Sequence, residues 1–296
     1  MGLNSSGPIS LAGTTTGQSI EIENGGNGTT QISLNDTAVR TLAGVTTPGS
    51  TIIMPTNFYG KANAFTLTIT SNTSNANLAT LATSAGWNGT SLLNATINSS
   101  VVISASSTGN YGLTVNGSFP AGVNLTNNGY ILGQGGDGGA SHHFLGLPGG
   151  SGGTAMLISS AITVNNASGV IGGGGGGGGS GSFAFGSCGG PCYAGGGGGG
   201  GRTGSTNSSG GAGDPAPSYG NRPGSPGTFN GAGSGGTALG YGSPGGPGGT
   251  WGASGCAGTG GNSYGSPVPG GSGGAATSGA SNITWTNVGT RYGTVG

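Results

Sequence analysis

The residues able to do chemistry are few. The two histidines are adjacent, His142 and His143, with Asp137 shortly before them. Two imidazoles and a carboxylate are the beginning of a divalent-metal set, but a stable site takes three or four suitable ligands. The other reading is three loop residues at a domain junction, and no metal is assigned. The three cysteines are Cys188 and Cys192, in Cys188-Gly189-Gly190-Pro191-Cys192, and Cys256 alone. The close pair is either a small disulfide loop or two free thiols. A disulfide scaffold needs denser cysteine. A phosphate loop needs Gly-Lys-Ser/Thr, and the sole lysine, Lys61, precedes Ala62. Gly-x-Gly-x-x-Gly matches mean nothing with 78 glycines. Catalysis requires convergent acids, bases or nucleophiles. None converge here, so a non-enzymatic protein without cofactor is expected.

Charge narrows the partners. Glu21, Glu23, Asp36, Asp137 and Asp214 balance Arg40, Lys61, Arg202, Arg222 and Arg291, 3% of 296 residues at net charge zero. Nucleic-acid binding needs clustered basic residues, so no nucleic-acid partner is expected. No apolar run approaches the roughly 20 residues that span a bilayer, so membrane insertion is not expected. Nor is a signal peptide, since no basic segment with a following apolar stretch opens the chain.

The elements that must position any site fall into composition zones. In residues 1–60, Ile20 and Ile22 alternate with polar neighbours as in a strand, and Gln31-Ile32-Ser33-Leu34 reads as a second. Asn35 or Asp36 then caps a short helix carrying Val39 and Leu42, which Gly44 ends. This zone holds little apolar material for a core of its own, which predicts folding against a partner or copies of itself. In residues 61–132, Phe65, Leu67 and Ile69 alternate with threonines. A helix is expected from Asn77 to Trp87, with Gly86 as its stop. Short strands follow at 92–97, 101–104, 113–115 and 123–125, a β-rich domain. Leu125-Thr126-Asn127-Asn128-Gly129-Tyr130-Ile131-Leu132-Gly133 lines up with Val164-Asn165-Asn166-Ala167-Ser168-Gly169-Val170-Ile171-Gly172, as one rung used twice.

Residues 133–279 hold 58 of the 78 glycines. Ordering them costs on the order of 30–60 kcal/mol beyond alanine, at roughly 0.5–1 kcal/mol each. Glycine offers no side chain to bury in return, so the zone is either disordered or ordered by main-chain hydrogen bonds. Phe183, Phe185, Tyr193, Tyr219, Phe229, Tyr241, Trp251 and Tyr264 are an unusual load for a solvating linker. Collagen needs glycine at every third position, and the unbroken runs 172–179 and 195–201 break that period. What remains is a lattice of extended three-fold polyglycine II helices whose outward N–H and C=O groups satisfy one another. The runs would form its interior, and segments 180–194, 202–228 and 237–268 would contain its loops. Loops on a rigid scaffold carry function, and aromatic residues present large contact area at low entropy cost.

Several segments resemble a known family. Gly7-Pro8-Ile9-Ser10-Leu11-Ala12-Gly13, the stretch from Gln31 to Gly44, and Met54-Pro55-Thr56-Asn57-Phe58-Tyr59-Gly60-Lys61 resemble the N-terminal module of phage tail and baseplate structural proteins. Trp87-Asn88-Gly89 and Asn116-Gly117-Ser118-Phe119-Pro120 onward resemble their glycine-rich fibre continuation. Ile283-Thr284-Trp285 through Gly293 resembles a closing strand. The glycine-rich block is similar in kind to the host-recognition adhesin at the tip of T-even long tail fibres, a sandwich of polyglycine helices.

The resemblance implies a virion protein, on the phage tail or baseplate, that binds a host surface receptor, either a polysaccharide or an outer-membrane protein. It implies other tail or baseplate proteins as partners, and either a homotrimer or a monomeric lattice fixed to a symmetric partner. The expected fold is mostly β and irregular. It comprises a virion-attachment module over 1–60, a β-rich domain over 61–132, a distal receptor-binding domain of packed polyglycine II helices over 133–279, and a closing strand over 280–296. Candidate receptor-binding residues are Tyr193, Arg202, Tyr219, Arg222, Tyr241, Trp251 and Tyr264. Two rival readings are a purely structural baseplate or fibre component, and an ice-binding bundle, which would need threonine or small residues repeating in ranks.

Overall fold

The computed structural model describes every residue except 1, 48, 62, 90, 143–144, 183, 186–190, 194, 205–207, 210, 212–221, 239–241 and 261–266. The first zone closes a small core within the chain from Leu3, Ile20, Val39, Leu42, Ala43 and Phe58, so no partner is needed to bury these side chains. The strand expected at Ile20 and Ile22 is instead a one-turn helix, α1 (Ile20–Glu23). The Ser19 hydroxyl accepts from the Ile22 N–H, and the two glutamates turn inward as local acceptors. Glu21 Oε1 receives the N–H groups of Asn27 and Thr30, both at 3.1 Å, and Glu23 Oε1 receives that of Asn63 at 2.9 Å. A strand would have placed these carboxylates in solvent. Residues 31–34 form no strand either. The expected helix is α2 (Thr37–Ala43), preceded by Asp36 and ended by Gly44 at φ +71°.

From residue 64 the chain winds. The first turn contains β1 (Ala64–Ile69), β2 (Thr73–Ser74) and β3 (Ala76–Asn77). After α3 (Leu78–Ser84) the second contains β4 (Leu92–Ile97), β5 (Val102–Ser104) and β6 (Leu113–Val115). The third opens with β7 (Val123–Asn127) and β8 (Tyr130–Leu132). It runs through the hairpin β9 (Ser141–His142) and β10 (Leu145–Gly146) and closes on β11 (Met156–Ile158). The fourth contains β12 (Ile162–Asn165) and β13 (Val170–Gly172), passes the hairpin β14 (Ala184–Phe185) and β15 (Pro191–Tyr193), and closes on β16 (Thr277–Ser278). The last is β17 (Ile283–Asn287) and β18 (Thr290–Tyr292).

Three parallel sheets result among the described residues, with orders β1-β4-β7-β12-β17, β18-β13-β8-β5-β2 and β16-β11-β6-β3. The structure is therefore mostly β, with few helices. The sheets draw strands from 64–132, 156–172 and 277–292 alike, and 133–155 and 173–276 are excursions from one corner of successive turns.

Alternation explains the winding. Inward residues of β1, β4 and β12, and Val123 and Leu125 of β7, are apolar, and Leu67, Ala95, Leu125 and Val164 stack in register with Trp285. Ile103, Ile131 and Ile171 form a second inward column ending at Arg291. The Arg291 guanidinium carbon lies 4.8 Å from the Trp285 ring centroid, so a cation–π pair replaces aliphatic side chains in the last turn. The two echoed segments are neighbouring turns. They match without a gap through Asn127 and Asn166, whose buried amides bond at 2.7 Å. Pairing then resumes as Tyr130 with Val170, because the later corner is one residue longer.

The excursions are ordered chiefly by backbone hydrogen bonds. Gly174, Gly177 and Ser180 donate to the carbonyls of Gly153, Gly150 and Leu147. Gly175, Gly178 and Gly181 donate to those of Arg202, Gly199 and Gly196, and Gly176 and Gly179 to those of Ala253 and Cys256. The segment from Gly174 to Gly181 thus serves three neighbours in rotation, with a period of three residues. Gly198 and Gly201 donate to Gly139 and Gly136, and Gly199 and Arg202 to Gly246 and Gly249. The runs 172–179 and 195–201 are buried. A Cβ on Gly174, Gly177 or Gly198 would overlap the carbonyl of Gln134, Asp137 or Gly178 respectively.

Two predictions follow from this packing. Gly177→Ala lowers stability by about 1–3 kcal/mol or more, the usual cost of overpacking. Gly231→Ala, whose Cβ meets nothing within 4 Å, changes it by less than about 0.5 kcal/mol; paired chemical denaturation curves compare the two. Burial raises the Glu23 carboxyl above the ordinary glutamate range, partly offset by the Asn63 N–H. A raised folded value favours the fold at acid pH, and that contribution is lost as pH rises through the folded value. Glu23→Gln, which keeps the acceptor, is therefore expected to raise the melting temperature at neutral pH, with the gain vanishing below the carboxylate range.

Candidate functional site

The hydrogen-bond rows give the excursions two ends. Near the winding lie Gly173, bonded to the Tyr292 carbonyl, and Gly252, bonded to that of Gly173. At the far end Ser180 meets Leu147, Gly181 meets Gly196, and Gly258 meets Val268. The far-end connections include 140–147, 182–195, 237–243 and 259–267, together with the segment between Gly211 and Arg222, which rejoin the lattice at Gly198 and Gly197.

The structure separates the seven candidate residues. Tyr193 ends β15, in the far-end hairpin with β14. Arg222 is exposed at that end; its carbonyl accepts the Gly197 N–H and its NH1 reaches the Thr237 hydroxyl at 3.4 Å. Tyr219, Tyr241 and Tyr264 lie outside the described residues, between flanking positions that leave and rejoin the lattice at the same end.

Arg202 and Trp251 lie elsewhere. Expected in loops facing outward, they meet at the near end, where the lattice rests on the outer face of the second sheet. Trp251 is only 7% exposed. Its ring centroid stands 5.5 Å from Phe229, 6.0 Å from Tyr292 and 6.3 Å from Tyr130. Its indole N–H donates to the Thr203 carbonyl at 3.3 Å. The Arg202 guanidinium carbon lies 3.6 Å from the Trp251 ring centroid, and Nε donates to the Phe229 carbonyl at 2.9 Å. Burial lowers the Arg202 value below the ordinary one, opposed by Tyr292 and Tyr130; arginine remains a cation throughout.

The reason is local. Gly172 lies against the base of the Trp251 side chain and against Leu132, and Gly204 packs on Ser104 and Leu132. Two glycines thus let the backbone settle onto the sheet, and the large side chains beside them fill the joint. Sequence reading missed Tyr130 and Tyr292 as part of this cluster. The signal was available in their strand positions on β8 and β18, the two neighbours of β13.

The other chemical candidates do not converge. Asp137 Oδ1 accepts the Ser209 N–H at 2.6 Å. His142 belongs to β9, and His143 lies outside the described residues. Cys256 is an exposed free thiol, Cys192 belongs to β15, and Cys188 lies outside the described residues. Among the described residues no group of three metal-binding side chains occurs, and no helix is long and apolar enough to cross a membrane.

Removing the indole should open the joint. Trp251→Ala is expected to cost about 3–5 kcal/mol. Hydrogen exchange should quicken at the Gly175 and Gly252 amides while that of Gly181, at the far end, stays slow.

No curated protein matches this sequence. A chain in the crystal structure of the gp37-gp38 adhesin tip complex of the bacteriophage S16 long tail fiber is similar to it at 25% identity and a TM-score of 0.59. The match covers 96% of this chain and 99% of that one. The family model for the phage tail fibre adhesin Gp38 matches residues 64–296, from the first strand of the winding to the C-terminus. The chain therefore belongs to the phage tail fibre adhesin Gp38 family.

Proposed function

We propose that this adhesin, a non-enzymatic component of the virion tail, recognises a host surface receptor through the far-end connections of its glycine-rich half. Tyr193, Tyr219, Arg222, Tyr241 and Tyr264 are the contact candidates, and Arg202 and Trp251 hold the joint. The observation that carries the reading is that Tyr193, Arg222 and the described residues flanking Tyr219, Tyr241 and Tyr264 lie toward one end, while the opposite end is occupied by the aromatic joint. The glycine-rich segments are read as polyglycine II helices. Their hydrogen-bond period of three and the exclusion of any Cβ in the interior support this. At about 3.1 Å per residue, the step from Gly173 to Gly181 spans roughly 25 Å, which holds the recognition end well away from the winding.

Residues 1–60 are read as the virion-attachment module, supported by their separate small core and their position outside the family match. The solved relative is a complex of two fibre proteins, which favours a fibre protein as the partner of this module.

Replacing 186–193, 212–222, 239–241 and 261–266 by Gly/Ser segments of equal length tests the reading. Pre-incubation of host cells with the native protein should block phage adsorption. The replaced protein, melting normally, should block at least about tenfold less well, equivalent to roughly 1.4 kcal/mol. Equal blocking would favour the purely structural role.

A further inference from the structure

The outer face of the first sheet carries a regular array that the far-end reading does not use. Pairing aligns Thr66, Asn94, Asn124, Thr163 and Thr284 in one rank across five turns. Two residues along each strand, Thr68, Thr96, Thr126 and Asn165 form a second rank, continued by Thr286 beside the bulge in β17. All ten side chains are exposed or half-exposed. None is charged. The Asn124 amide donates to the Asn94 amide oxygen at 2.8 Å along the first rank, and Thr286 Oγ1 donates to the Val164 carbonyl at 3.3 Å. Beside the first rank runs a groove of about 310 Å³ that includes Leu92, Gly122, Ala161 and Ile162. The face therefore pairs a small apolar floor with a row of hydroxyls and amides, repeated once per turn at roughly 4.7–4.9 Å.

We propose that this face binds a linear, uncharged polysaccharide lying along the winding axis, perpendicular to the strands. A pyranose has an apolar face and a hydroxyl-rich edge, matching floor and rank. The strand repeat is close to the length of one sugar unit in an extended chain. The absence of charge on the face leaves nothing to neutralise an anionic polymer. The site rests on the receptor-recognition reading but is separate from the far-end connections. It gives the tip a long, repetitive contact with surface glycan beside a specific contact at the tip's end.

The test uses the full-length protein, calorimetric titration with a panel of purified neutral bacterial O-polysaccharides, and hyaluronate as the charged control. At least one neutral polymer should bind in preference to hyaluronate. The triple variant Thr66→Val, Thr163→Val, Thr284→Val keeps β-branched residues on the strands and should melt like the native protein. It should bind about tenfold or more weakly, as expected for losing several hydrogen bonds. The matching triple serine variant should bind as the native protein does. Binding to no neutral polymer, equal binding of hyaluronate, or undiminished binding by the valine variant overturns the proposal. So does a change confined to oligomeric mass, which would assign the face to a second copy. If the valine variant binds glycan normally while far-end replacement abolishes blocking of adsorption, this site falls and the recognition reading stands.

Discussion

The glycine-dense half depends on one constraint: every amide N–H in an extended strand without internal hydrogen bonds must find a carbonyl on a neighbour. An unpaired buried backbone group costs about as much as a lost hydrogen bond. The rotation of partners seen from Gly174 to Gly181 meets that demand residue by residue. It also dictates composition. At most interior positions donor and acceptor meet only because backbones approach more closely than a Cβ permits, which is why glycine predominates there. The conformational cost of so many glycines is offset by a network in which each segment is held by several others.

Two kinds of order meet in one chain. The winding uses alternation and a conventional apolar core, closed in its last turn by Trp285 and Arg291. The excursions use main-chain pairing and almost no side chains. Trp251, Arg202, Phe229, Tyr130 and Tyr292 lie where the two systems touch. An interface between a sheet and a surface of bare backbone has no side chains of its own to interlock, so a few large aromatic groups supply the contact area. Burial of this cluster fixes the orientation of the whole glycine-rich half relative to the sheets.

Much of this was legible in residue order. Alternation at Phe65–Ile69 and the short strands at 92–97 and 113–115 are local signals, and the sheets use them as read. The Asn127 and Asn166 echo marked adjacent turns, though not the extra residue at the later corner. Ile20 and Ile22 misled because two glutamates between and beside them were needed as acceptors for Asn27, Thr30 and Asn63. Such long-range partners leave no trace in periodicity. The same holds for Trp251. An aromatic residue among glycines reads as a loop tip, and only the fold shows that the preceding chain carries it back to the sheet. That a single winding would recruit strands from 64 to 292 was also beyond local pattern, since parallel partners sit about 30–40 residues apart, or more than 100 across the long excursion.

Both excursions leave and return at the same corner of consecutive turns, between β8 and β11 and between β13 and β16. An exchange of genetic material that kept the flanking strands would transplant a complete lattice without disturbing the register beneath it. Growth of that lattice is quantised. Because partners recur every third residue, an insertion in one segment keeps its neighbours only in multiples of three, matched by equal additions alongside. The lattice can therefore diversify freely in its far-end connections, while its length changes only in concerted steps.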